Sequence, residues 1–221
     1  KNILNTLLSG VYYPSNKSIN GSYKKISDSN KQNFLDILAF IKLKNLDDVW
    51  INTHWLVLDL DLWNPAISWL ARSFSSDIDE YKKFIDSYIR ASNMTWVLVY
   101  AKHFPWHWDW NVDSHDSVLV YDDNIDYLNK NIELFDYFLS KSLLKSWIMV
   151  GHMYLPNDLK DKILEVAMKS DFILTDDLAM SWYKNYNSFS QEDMFFSTST
   201  ILDTDNIFIK VDTSNNFTWI K

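Results

Sequence analysis

The chain has 221 residues, a formal net charge of −8 and no cysteine. Its length suits one domain. The missing cysteine rules out disulfides, thiolate zinc sites and cysteine nucleophiles, and the acidic balance argues against a nucleic-acid partner, which would need a basic patch.

Two residue types are out of proportion. Glycine occurs only 3 times, so neither GxGxxG nor GxxxxGK[ST] exists here. Aromatic residues make up 16% of the chain, with 11 tryptophans. That is more than a core of this size needs, so some rings are expected at the surface as contact anchors. No apolar run reaches the roughly 18–20 residues of a transmembrane helix. With the absent cysteine, this sets the expectation of a cytoplasmic protein without a membrane span.

Residues 1–30 are polar and turn-rich, and read as a loosely ordered arm before a single domain over 31–221. Ser29 with Gln32 forms a capping box. Phe34, Ile37, Leu38 and Ile41 then recur at helical spacing, predicting a helix to about residue 45. Leu56, Leu58, Leu60 and Leu62 alternate as in a strand over 54–63, which Asn64-Pro65 ends. Pro65 opens a short helix, and Ser76 with Asp79 caps another. The stripe of that helix is Ile78, Tyr81, Ile85, Tyr88 and Ile89.

Residues 96–100 are apolar on both faces, as in a buried strand, and 117–121 form another. Asp122 or Asp123 begins a long helix with Ile125, Leu128, Ile132, Phe135 and Leu139 inward. Strands over 147–150 and 172–175 follow, each leading into a helix. Residues 207–211 and 217–220 predict a C-terminal hairpin. The reading is α+β, or mixed α/β: a single layered domain with one mixed sheet and several helices.

The densest candidate chemistry lies at His103-Phe104-Pro105-Trp106-His107-Trp108-Asp109-Trp110. His103, His107 and Asp109 fall on one side of an extended segment and are candidate ligands for a metal such as zinc, iron or manganese. Eight carboxylates and one lysine occupy the stretch from Asp109 to Asp136, so most of the net negative charge is local.

Asp59 and Asp61 end an apolar strand as a DxD. This resembles the metal-binding strand ends of nucleotide-sugar glycosyltransferases and of haloacid-dehalogenase-like phosphatases. The resemblance implies carboxylates on a divalent cation, with the first aspartate a nucleophile in the phosphatases. Asp176 and Asp177 follow a neighbouring strand and could supply a second acidic pair.

Two functions follow. The first is an acidic binding or inhibitory protein of immunity-protein or antitoxin type, needing no cofactor. It would dock a basic partner such as a toxin or nuclease through Trp106, Trp108, Asp109, Trp110, Asp113, Asp116, Asp122, Asp123 and Asp126. The second is a metal-dependent transferase or hydrolase using Asp59 and Asp61 with Asp176 and Asp177.

Overall fold

A computed structural model describes residues 13–62, 65–107, 119–120, 125–142, 146–151, 153–154, 160–175 and 207–209. Strands and helices alternate. Helix α1 is Asn16–Tyr23 and α2 is Asp28–Asp47. Strand β1 is Thr53–Val57, followed by a π-helical turn at Pro65–Trp69 and helix α3, Ile78–Met94. Strand β2 is Leu98–Phe104, β3 is Leu119–Val120 and α4 is Ile125–Lys141. Strands β4, Trp147–Val150, and β5, Met153–Tyr154, precede α5, Lys160–Ala167. Strands β6, Phe172–Thr175, and β7, Ile207–Ile209, complete the described elements.

The main sheet has five strands in the order β1-β2-β4-β6-β7, and β3 pairs separately with β5. Every one of these pairings is parallel. Neighbours in the main sheet follow chain order, so each crossover steps the same way. Parallel crossovers are right-handed almost without exception, which stacks their helices on one face. That connectivity is the one from which a (β/α) barrel wall is built. Helices α3 and α4 both pack against β2, and α4 packs against α3 and α5.

The layered α+β, or mixed α/β, reading therefore stands. The one mixed sheet expected is replaced, among the described residues, by a parallel main sheet and a separate β3–β5 pair. The reason is that the helical crossovers through α3, α4 and α5 each return the chain in the same direction. The first arm of the expected hairpin is β7, which lies parallel to β6. The second arm, 217–220, is outside the described residues.

Several elements differ in detail from the sequence reading. The segment expected to be a loose arm contains α1, whose Ile19 and Tyr23 join the core. Ser15 caps it by accepting from the Ser18 amide at 3.2 Å. The inner stripe of α2 is Leu35, Ala39, Leu43 and Leu46, while Ile37 and Ile41 are exposed. A one-residue displacement of the stripe turns the helix by about 100°. Ile125 is likewise exposed, whereas Leu128, Ile132, Phe135 and Leu139 are buried as expected.

Strand β1 leaves the ladder after Val57. Leu58 makes one more bond, to the Lys102 carbonyl at 2.7 Å. Leu56, Val57, Leu58, Asp59 and Leu60 are all buried, so the leucine alternation marks a segment enclosed on both sides. Strand β2 begins later than expected and runs into the histidine-rich stretch.

Register sets the functional edge. Val57 lies opposite Lys102, Phe104 opposite Val150, and Val150 opposite Thr175. The carboxyl ends of β1, β2, β4 and β6 thus share one edge of the sheet. Open parallel sheets and barrels bind ligands at that edge.

Candidate functional site

At this edge Asp59 is fully buried, two residues beyond β1. Its own carbonyl accepts from Ser73 Oγ at 2.6 Å and Tyr81 Oη at 2.9 Å. The backbone is thereby pinned from the loop before α3 and from α3 itself. The carboxylate faces the end of β2. Oδ2 meets His103 Nδ1 at 2.8 Å, and Oδ1 accepts the His107 amide at 2.7 Å. The His103 amide also points at Oδ2, at 3.3 Å.

Burial pushes the Asp59 carboxyl up, but the adjoining His103 and His107 more than offset it. The group is held below the usual aspartate range and stays ionised at neutral pH.

A carboxylate only accepts, so His103 Nδ1 donates. The ring then turns Nε2 toward Arg72, whose Nη2 lies 3.4 Å away. Of these two groups the guanidinium only donates. Asp59, His103 and Arg72 form a chain leading from a buried anion to a half-exposed cation. The His107 ring stands 5.0 Å from the His103 ring, edge to face.

Gly151 follows β4 and donates its amide to the Phe104 carbonyl at 2.8 Å. A side-chain carbon there would lie 3.3 Å from His103 Cβ. Glycine allows this close approach of β4 to the histidine.

The site departs from what the sequence implies. His103 and His107 do come together, and Asp59 joins them. Of the Asp59-x-Asp61 pair, the Asp59 carboxylate is occupied by β2 and the residues after it, while the half-buried Asp61 bonds its amide to the Ser75 carbonyl at 3.0 Å. Among the described residues no group of three or more His, Asp or Glu is placed to hold a metal ion. Trp106, expected as a surface anchor, is only 1% exposed and lies 6.5 Å from the Tyr127 ring. Asp126 is exposed in the first turn of α4. Trp108, Asp109, Trp110, Asp113, Asp116, Asp122, Asp123, Asp176 and Asp177 are outside the described residues.

The sequence reading missed Arg72, Ser73, Tyr81 and Asn131. Only Asn131 carried a signal, as an amide among the apolar residues Leu128, Ile132 and Phe135 on the inner face of α4.

The chain shares its fold with glycoside hydrolases of family 3. "M tuberculosis LpqI" superposes with a TM-score of 0.69 at 18% identity, over 95% of this chain and 62% of that one. A GH3-family glycosyl hydrolase from Mycobacterium smegmatis gives 0.67 at 18%, over 94% of this chain and 64% of that one. NagZ from Neisseria gonorrhoeae gives 0.66 at 18%, over 90% of this chain and 59% of that one. The chain therefore spans less than two thirds of each. No protein-family model and no curated protein matches the sequence.

This likeness overturns the immunity-protein or antitoxin reading, with its inhibitor role. The fold is one that hydrolases use, and its buried polar group sits where those folds place ligands. No helix among the described residues is long and apolar enough to cross a membrane.

Proposed function

We propose that this chain is a glycoside hydrolase, or the catalytic part of one, acting at the carboxyl edge of its parallel sheet. The fold likeness to family 3 glycosidases over about nine tenths of the chain carries this reading. The site chemistry supports it. Sugars are recognised through hydroxyl groups, which need fixed donors and acceptors. Arg72 supplies donors, and His103 supplies a ring whose orientation Asp59 locks from behind.

Glycoside hydrolysis in most families uses two carboxyl groups, one protonating the leaving oxygen and one acting as nucleophile or base. Asp59 is committed to His103 and is not one of them in this reading. Asp176 and Asp177 directly follow β6, whose last residue, Thr175, is in register with Val150 at the same edge. We assign one of the two carboxyl groups to that pair. The other comes from the segment that follows His107, which carries Asp109, Asp113 and Asp116.

The test is hydrolysis of an aryl-glycoside panel that includes a β-glucoside and a β-N-acetylglucosaminide. The chain releases the aryl group from at least one member. Among single Asp→Asn changes at 109, 113, 116, 176 and 177, one on each side lowers kcat by about 10²–10⁴-fold while near-UV circular dichroism is unchanged. No hydrolysis of any member, or activity indifferent to all five changes, rules the assignment out.

A further inference from the structure

We propose that Asn131 is a positioning residue that holds the two halves of the site in register; this rests on the glycosidase reading for its catalytic consequence. Asn131 is fully buried in the middle of α4. Its Oδ1 accepts the Leu60 amide at 3.1 Å, and its Nδ2 donates to the Pro105 carbonyl at 2.7 Å. Leu60 is the neighbour of Asp59, and Pro105 lies between His103 and His107. One side chain thus ties the loop carrying the carboxylate to the segment carrying both of its histidine partners.

An amide is the fitting group, because the clip needs one acceptor and one donor on a short arm. An aspartate of the same shape keeps the acceptor and meets the Pro105 carbonyl with an oxygen. A leucine keeps the volume and loses both bonds. Displacements near 1 Å can cost about 10²-fold in rate, so the clip bears on His103 and Arg72 without touching substrate.

Asn131→Asp and Asn131→Leu test this, with Asn131→Ser as a smaller polar control that folds if neither does. Two readouts are taken: kcat and KM on whichever glycoside the wild type cleaves, and the pH titration of the His103 ring by NMR. kcat falls 10–100-fold with KM within about threefold, and the His103 titration midpoint moves. Folded variants that leave both the midpoint and kcat at wild-type values overturn the proposal. If the wild type cleaves no glycoside, the glycosidase reading fails while the His103 titration still decides the clip.

A second inference stands on a separate observation. Tryptophan occupies a backbone position built for glycine. Trp50 has φ of 62° and follows the end of α2. The Ile51 amide bonds to the Leu46 carbonyl and the Trp50 amide to the Asp47 carbonyl, each at 2.9 Å. This is a Schellman ending with Trp50 at the left-handed position that glycine ordinarily fills. Its ring is 95% exposed, so no packing offsets the strain. Trp69 ends the π-helical turn and Trp96 lies in the bend between α3 and β2, and they are 69% and 87% exposed.

The chain has 11 tryptophans and 3 glycines, against an ordinary glycine share near 7%. We infer that the codon behind these tryptophans is read as glycine in the cell that makes the protein. The triplet UGA, one base from a tryptophan codon and one from a glycine codon, has the required ambiguity. Peptide sequencing by mass spectrometry of the protein from its native cell finds glycine at 50, 69 and 96; tryptophan at 50 overturns the inference. In recombinant protein Trp50→Gly raises Tm, and an unchanged or lower Tm removes its physical ground.

Discussion

Asp59 shows what one buried charge costs and returns. An isolated carboxylate in the interior would be protonated or would unfold its surroundings. This one remains ionised because His103 and His107 surround both oxygens. Its folded pKa lies below its unfolded value, so the unfolded state binds more protons at acid pH. The stabilisation is complete above about pH 4 and is lost as pH falls through the lowered folded value. Asp59→Asn should therefore lose about 3 kcal/mol at pH 7, in the range for breaking one partner of a buried pair. It should also show a shallower fall in Tm between pH 5 and pH 2 than the wild type. Equal slopes in thermal scans of the two proteins would refute the linkage.

At the scale of elements, caps and stripes explain where the sequence was legible. Helix α3 starts at Asp77, whose Oδ1 accepts the Asp79 and Glu80 amides at 2.8 and 3.1 Å. Asp79 and Glu80 also set negative charge against the positive end of the helix dipole. Asp77→Ala should cost about 1 kcal/mol in urea titration, while Ser76→Ala, at the position suggested by the sequence, should be near neutral. The stripe of α3 was readable because Tyr81, Ile85, Tyr88 and Ile89 are all buried, with Tyr81 edge to face against Phe74. Helix α2 was harder to read because its apolar residues run nearly all round. Both Leu35 and Ile37 are candidates by hydropathy, and packing against α3 chose Leu35.

For the whole molecule, the sequence by itself determined the class of fold. Alternating helical and strand periods, short apolar strands at 147–150 and 172–175, and the burial of both faces of β2 all follow from local pattern. It also marked the histidine-rich stretch as unusual. What only the tertiary structure decided was which of those residues meet. Asp59 and His103 are 44 positions apart, and the parallel pairing of β1 with β2, with Ser73 and Tyr81 holding the Asp59 carbonyl, brings them within 2.8 Å. The packing of α4 buries Trp106 instead of displaying it. Local sequence records the period of a segment, but not which segments lie side by side. Partnership across the sheet is fixed by strand order and helix packing, and the chemistry of this site resides in that partnership.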